Sequence, residues 1–184
     1  MLCVIASLMM QSLVVHGQGC QFPDPAVNFK NQQYVGEWFE IGKIQTKGGA
    51  FFEKDCVCTE LNVAFTNLTS GDATVDNDCR SKVVDGPWTN ITGILSGENI
   101  LKPGKWEEEI NGSFVNYTVI YIDEDSSIEY DCGTSLGVTN YCIHVLSRGR
   151  TMPTAKFNQL MAYAQGLGLN TNDLPITMTT QAGC

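Results

Sequence analysis

The sequence predicts an all-β fold: an eight-stranded antiparallel up-and-down β-barrel with one C-terminal α-helix packed on the outside. Short β-type segments recur along the 184 residues, and turn-forming pairs such as Gly71-Asp72 and Asn111-Gly112 separate them. Only one later segment has apolar residues at helical spacing. With 43% hydrophobic residues, the chain can bury one sizeable core, so we expect a single domain over residues 20–184. Eight strands are enough to close a barrel around one small ligand.

The individual elements follow from local signals. The predicted strands are Gly36 to Gln45, Cys56 to Thr66, Ala73 to Val83, Trp88 to Ser96, Lys105 to Ile110, Ser113 to Ile122, Ser127 to Cys132 and Tyr141 to Ser147. Pro153 opens the predicted helix, which ends near Gly166 and Gly168. Its apolar stripe consists of Phe157, Leu160, Met161, Ala164 and Leu167. A last β-type stretch, Ile176 to Thr180, leads to Cys184.

The N-terminal segment and the cysteines predict a secreted protein. The apolar run Leu2 to Val15 is too short to span a bilayer, and small polar residues follow it, so residues 1–19 are predicted to be a signal peptide. Seven cysteines then remain after Cys3 is removed, which indicates an oxidising compartment. Four glycosylation sequons agree with secretion, at Asn67, Asn90, Asn111 and Asn116.

Charge sets aside two classes of partner. The net charge of -9 repels phosphate backbones and anionic lipid surfaces. No cluster of Lys and Arg forms a basic stripe, so we expect neither nucleic-acid binding nor membrane insertion.

Three short motifs resemble those of lipocalins, and of their apolipoprotein D and bilin-binding branch in particular. Gly36-Glu37-Trp38 is similar to the G-x-W opening of the family, and Arg148 lies where its last barrel strand ends in an Arg. Asp123 matches the Asp of the middle T-D-Y motif, although its neighbours differ. A further run, Cys56-Val57-Cys58-Thr59, is similar to a C-x-C-T feature of plastid-type lipocalins. The resemblance covers residues 20–184 and implies the calycin barrel.

The resemblance also implies how the barrel floor is built. Gly36, Trp38 and Arg148 are expected there, with Trp38 as the plug and Arg148 stacked on its face as a cation-π cap. We regard this group as architecture rather than ligand chemistry.

Strand alternation predicts which side chains face the lumen. If the sequon residues face solvent, their neighbours on the same strands face inward and give an apolar cavity. His144 would be the titratable group of its wall, where it could pair with a ligand carboxylate or pyrrole, or with a neighbouring hydroxyl. The predicted ligand-binding residues are Leu61, Val63, Phe65, Ile91, Leu95, Tyr117, Val119, Tyr121, His144 and Leu146.

The disulfide pattern is partly implied by the resemblance. The apolipoprotein D pattern pairs Cys20 with Cys132 and Cys56 with Cys184. A hairpin folded about Thr69 sets Cys58 opposite Cys79, and Cys142 is then the odd, inward thiol. Two alternatives compete, namely Cys79 with Cys184 and Cys132 with Cys142.

These observations predict a secreted carrier that holds a small hydrophobic ligand, such as a lipid, fatty acid, sterol, bilin or carotenoid. The alternative is a lipocalin-type isomerase or de-epoxidase that uses Cys142 or Cys58 as a cavity thiol. We expect no catalytic residues, no cofactor apart from a chromophore bound as ligand, and no metal site, because His16 and His144 are the only histidines. Loops at a barrel mouth also serve protein partners, but the sequence identifies none.

Overall fold

A computed structural model describes residues 19–97 and 100–184. The predicted signal peptide, residues 1–19, lies outside the described residues except for Gly19. The strands are β1 Gly36–Gln45, β2 Cys56–Asn67, β3 Asp72–Ser81, β4 Trp88–Ser96, β5 Lys105–Ile110, β6 Ser113–Ile122, β7 Ser126–Ser135, β8 Val138–Ser147 and the short β9 Thr177–Met178. The α-helices are α1 Asn31–Tyr34 and α2 Thr154–Gly166, and a 3-10 turn spans Phe51–Glu53.

The eight long strands form the predicted closed antiparallel barrel. Each strand from β2 to β7 pairs with the strand that follows it in the sequence, and β8 pairs with β1. Gly36–Phe39 of β1 then pairs with Glu60–Val63 of β2, which closes the ring. Helix α2 packs on the outside through Phe157, Leu160, Met161 and Ala164. No helix within the described ranges is long and apolar enough to cross a membrane.

The C-terminal segment completes the seam where β1 and β2 are not directly paired. β9 pairs with Gly42 and Lys43 of β1. On the other side, the amide of Cys58 in β2 donates to the carbonyl of Thr180 at 2.8 Å. The side-chain amide of Gln181 donates to backbone carbonyls of both strands, at 2.9 and 2.7 Å. The tail therefore bridges β1 and β2, and we refer to residues 177–184 as the seam segment.

The disulfides match the expected pattern in one bond and differ in two. Cys20 is bonded to Cys132, as the resemblance implies. The expected pairs Cys56–Cys184 and Cys58–Cys79 are wrong, because the structure has Cys56–Cys79 and Cys58–Cys184. The cause is an irregularity in β2 between residues 57 and 60, where Cys58 has a φ of +56°. Since such a bulge shifts the alternation of faces, the two nearby cysteines do not share one face.

A second irregularity corrects the expected position of Tyr121. The register of β6 against β7 shifts between Val119 and Tyr121. Tyr121 therefore lies outside the barrel, with its ring 5.7 Å from that of Tyr163 in α2, and its hydroxyl donates to Asp123 at 2.7 Å. It packs between barrel and helix and does not line the lumen.

Candidate functional site

The floor of the barrel is closed by Trp38 and Arg148. Trp38 is fully buried, and the Arg148 guanidinium lies 3.5 Å from the centroid of its ring. The same guanidinium donates to three carbonyls at the entry to β1, those of Gln33, Val35 and Glu37, at 2.6 to 2.9 Å. One cation thus covers the ring and satisfies three backbone acceptors, which fixes the floor.

Aromatic side chains fill the barrel above this floor. Tyr34, Trp106, Tyr117 and Phe29 stand around Trp38, with neighbouring ring centroids 5.7 to 6.2 Å apart. The Trp106 indole donates to the carbonyl of Gly71 at 2.7 Å, and the hydroxyls of Tyr34 and Tyr117 are hydrogen-bonded to each other. We call these five residues the aromatic plug; they occupy the lower half of the lumen.

The plug explains where several predicted ligand-binding residues lie. Val63, Leu95, Val119 and Leu146 are buried against it in one apolar cluster rather than in open space. Phe65 packs at the edge of the same cluster, 6.2 Å from Trp106 between ring centroids.

The upper half of the barrel encloses a cavity of about 570 Å³. Of the predicted residues, Leu61, Tyr117 and His144 line it, whereas Ile91 lines a separate cavity of about 160 Å³. The entrance of the larger cavity lies between the β1–β2 loop and the turns that follow β5 and β7. The apolar part of its wall consists of Phe51, Phe52, Leu61, Ile110, Phe114 and Val115.

Charged side chains surround the inner end of the cavity. We call them the charged layer, and they comprise Glu40 and Lys43 of β1, Glu53 of the 3-10 turn, Glu108 of β5, Glu129 and Asp131 of β7, and His144 of β8. All are buried except Asp131, which is 17% exposed. Five carboxyl groups therefore share the interior with two basic groups.

Lys43 neutralises part of this layer. Its ammonium lies 3.3 Å from Glu40 and 3.2 Å from Glu53. Burial acts to raise the pKa of Glu40, but Lys43 and His144 outweigh it and hold the pKa at about 2. Burial acts to lower the pKa of Lys43, and the two carboxylates raise it above its usual range. Glu40 and Lys43 therefore remain ionised at neutral pH.

His144 is committed to the protein's own carboxyl groups. Its Nδ1 lies 2.6 Å from Glu40 and 3.9 Å from Glu53, and its Nε2 lies 3.6 Å from Asp131. Burial acts to lower the pKa of His144, but the neighbouring carboxylates, with Glu53 first, raise it well above 6.5. The imidazole is thus positively charged and already paired.

The carboxyl groups of Glu108, Glu129 and Asp131 differ from that of Glu40 in the direction of their pKa shifts. Burial raises the pKa of Glu108 and that of Glu129 to about 8, and raises that of Asp131 well above its usual range. One buried oxygen of Glu129 and one of Asp131 have no hydrogen-bond partner. The Glu108 carboxyl occupies the space left by Gly93, where a Cβ would lie 2.2 Å from its Oε1. All three side chains line the cavity, and those of Glu129 and Asp131 are incompletely hydrogen-bonded.

The site is poorly suited to metal binding and to catalysis by a thiol. The carboxylates of Glu40 and Glu53 and the His144 ring offer ligand atoms within 4.8 Å of one another, as a metal would require, but the Lys43 ammonium lies against both carboxylates. Cys142 is free and lines the cavity, yet burial raises the pKa of its thiol to about 11. A protonated thiol is a poor nucleophile, so the geometry does not favour the thiol-enzyme alternative.

Sequence reasoning missed Trp106, Glu108, Glu129 and Asp131, although signals for them were present. The Asn111-Gly112 turn sets the register of β5 against β6, which places Trp106 opposite the inward Tyr117. Similarly, Cys132 faces outward to Cys20, so the alternate residues Glu129 and Asp131 face inward. For Glu108, Glu129 and Asp131, the general preference of charged side chains for the protein surface argued against an inward position.

Comparisons with known proteins agree with this architecture. Residues 29–179 match the model of the lipocalin-like domain. A lipocalin-named protein of Acanthamoeba polyphaga mimivirus is 28% identical over 152 residues, which covers 78% of this chain and 80% of that protein. Apolipoprotein D of Mus musculus is 26% identical over 169 residues, covering 90% of this chain and 84% of the relative.

Solved structures show the same fold at low sequence identity. Lobster apocrustacyanin A1 superposes with a TM-score of 0.63 at 14% identity, covering 83% of this chain and 79% of that one. The siderocalin Ex-FABP gives a TM-score of 0.58 at 13% identity, covering 83% of this chain and 97% of that one. With its floor, its closed barrel and a family match across most of its length, the chain belongs to the lipocalin family.

Proposed function

We propose that this protein is a secreted carrier that holds one small, largely apolar ligand in the upper half of its barrel. The observation that carries the proposal is the cavity of about 570 Å³, whose size is typical of small-molecule sites. Its aromatic and aliphatic wall supplies affinity through burial, and its polar inner end supplies orientation. The lower half has no such role, because the aromatic plug fills it.

The charged layer favours some candidate ligands over others. A ligand that presents a carboxylate to the inner end would bury a negative charge beside Glu108, Glu129 and Asp131, while the two basic groups nearby already lie against Glu40. Fatty acids and bilin propionates therefore rank below neutral lipids, sterols and carotenoids. His144 would contribute little to the binding of such a carboxylate, because its Nδ1 already lies 2.6 Å from the carboxylate of Glu40.

Secretion and glycosylation are part of the proposal. Three disulfides between distant parts of the chain suit an oxidising compartment. Asn67, Asn90 and Asn111 are exposed, whereas Asn116 is half-buried and its sequon residue Thr118 is buried. We therefore expect glycans at the first three sites and none at Asn116, which peptide mapping before and after deglycosylation checks.

Direct binding tests the carrier function. Native mass spectrometry of the secreted protein should detect one bound molecule per chain, and its absorption spectrum should show a visible band if the ligand is a carotenoid or bilin. A panel of neutral fluorescent hydrophobic probes should bind at one site. Val115→Trp, which places a large ring on the cavity wall, should weaken probe binding about tenfold or more, while Ile94→Trp on the outer face of β4 should not. Absence of binding by every probe to the folded protein would sink the proposal.

A further inference from the structure

The inner end of the cavity carries more carboxyl groups than the basic side chains of the protein can pair. The charged layer holds five carboxyl groups against Lys43 and His144, so three carboxyl groups remain in excess even when His144 is protonated. Both basic groups lie against Glu40 and within 4 Å of Glu53. Throughout residues 19–97 and 100–184, no Lys or Arg pairs with Glu108 or Glu129.

A second, independent observation points to a ligand. Glu129 is 1% exposed, lines the cavity, and has a buried carboxyl oxygen without a hydrogen-bond partner. An oxygen of Asp131, two residues along the same face of β7, is in the same condition. A buried acceptor without a donor lowers the stability of the protein. A bound molecule that brings the missing donors offsets this loss.

The shape of the cavity restricts what that molecule can be. A ligand that fills the site has to present hydrogen-bond donors at the inner end and apolar surface toward the aromatic side chains of the mouth, Phe51 and Phe114. An ammonium group has three donors and a positive charge, and it therefore matches the unpartnered carboxyl oxygens of Glu129 and Asp131.

We propose that the ligand is an organic amine: an apolar molecule whose protonated amino group binds among Glu108, Glu129 and Asp131. This inference rests on the proposed carrier function and names the ligand class of the same cavity. The opposite arrangement, with the amine at the mouth, would leave the unpartnered oxygens as they are and bury apolar surface against charge.

Binding of an amine is coupled to the release of protons. In the ligand-free cavity, burial keeps the pKa of Glu108 and Glu129 near 8, so both carboxyl groups hold their protons at pH 7. An ammonium beside them favours the ionised forms, and the protons pass to solvent while the ligand keeps its own. The groups facing this position are Glu40 and Lys43 of β1, Glu53, Tyr117 of β6, Asp131, and Cys142 and His144 of β8. Affinity should therefore rise from pH 6 to pH 8, well below the pKa of an alkylammonium, about 10.4.

Three ligands of equal chain length test the inference: n-octylamine, n-octanol and n-octanoate, each titrated by calorimetry into the purified secreted protein. We expect octylamine to bind about tenfold or more tighter than octanol, and octanoate to bind most weakly. Titrations of octylamine at pH 7 in phosphate and in Tris should differ in apparent enthalpy by the amount that proton release predicts, and those of octanol should not.

Substitutions of the carboxyl groups test where the amino group of the ligand binds. Glu129→Gln keeps the shape of the side chain and should weaken octylamine about tenfold while octanol changes less than about twofold. Asp131→Asn is the second variant and should act in the same direction. Glu107→Gln is the matched control, because it makes the same substitution on the exposed face of β5, next to Glu108 in the sequence.

The outcomes separate the two proposals. If octanol binds as tightly as octylamine, or if Glu107→Gln weakens octylamine as much as Glu129→Gln does, the amine inference is overturned and the carrier function stands. If none of the three ligands binds the folded protein, the carrier function fails, and the inference fails with it.

Discussion

At the floor of the barrel, the buried side chains are aromatic or aliphatic and their polar atoms are paired, whereas the charged layer at the inner end of the cavity buries five carboxyl groups beside two basic groups. The floor follows the usual chemistry of a protein core. The charged layer contradicts it, and buried oxygens of Glu129 and Asp131 remain unpaired. The difference indicates that the two regions have different roles: the floor stabilises the barrel, and the charged layer lowers stability in a way that suits ligand binding.

The largest effect is expected at the floor. Trp38→Ala would leave a cavity beneath the aromatic plug and deprive Arg148 of its stacking partner. The free energy of unfolding should fall by about 3 to 5 kcal/mol, measured by urea denaturation. Trp88→Ala is the control, since this residue is 46% exposed on β4, and it should cost far less. Equal losses in the two variants would show that Trp38 is not the plug.

Removal of the buried ammonium should be the next largest effect. Lys43→Met leaves Glu40 and Glu53 without the charge that lies within 3.3 Å of both. Uncompensated buried charges are costly, and we expect a loss of about 3 kcal/mol in the same assay. Lys47→Met, which removes an exposed lysine of the β1–β2 loop, should change stability by less than about 0.5 kcal/mol. A fully stable Lys43→Met protein would contradict the ion-pair assignment.

The two regions should also differ in their response to pH. Glu108 and Glu129, whose pKa values are about 8, bind protons in the native state that the unfolded chain has lost above pH 4.5. Stability should therefore fall as pH rises from 4.5 to 8, and the raised pKa of His144 acts in the same direction above 6.5. Glu40, whose pKa is about 2, stabilises the native state above pH 4.5, and this contribution is lost as pH falls toward 2.

The ligand-free protein should thus be most stable near pH 5 and lose several kcal/mol by pH 8. Urea denaturation at several pH values measures the profile. Glu129→Gln should flatten it and Glu107→Gln should not. A stability that increases from pH 5 to pH 8 is the opposite result and would refute the assignment of protonated carboxyl groups.

The smallest effect is expected at Cys142, which lies opposite Asp131 on the cavity wall. Its buried thiol, whose pKa is about 11, should react slowly with an aromatic disulfide reagent in the native protein and rapidly in urea. Cys142→Ala should change stability by about 1 kcal/mol and ligand affinity by less than about twofold. Fast labelling of the native protein at pH 7 would reopen the thiol-enzyme alternative.

The fold was predictable because its signals are local and repeated. Turn pairs between β-type segments, the G-x-W opening and the apolar stripe of α2 each identified an element that the structure contains. Two bulges were not predictable, since one inserted residue near Cys58 or Tyr121 reverses the face of its neighbours without a clear mark in the sequence.

The site was predicted less well than the fold. Leu61, Tyr117 and His144 lie on the cavity wall because alternation holds locally around each of them, although β2 and β6 carry bulges elsewhere. The charged layer was missed because burial of Glu108, Glu129 and Asp131 is unfavourable, and general preferences favour their exposure. Strand pairing overrides the preference of a single residue, and the exception marks the region we propose to be functional.

The seam segment has a consequence for biosynthesis. β1 and β2 lie near the beginning of the chain, yet residues 177–184 bridge them, and the Cys58–Cys184 bond ties the bridge in place. During translation, the eight long strands emerge before this segment does. The barrel can therefore assemble early, but its wall is finished only after the last strand has left the ribosome and an oxidant has joined residue 58 to residue 184. A chain without residues 177–184 should accordingly have an open slit between β1 and β2.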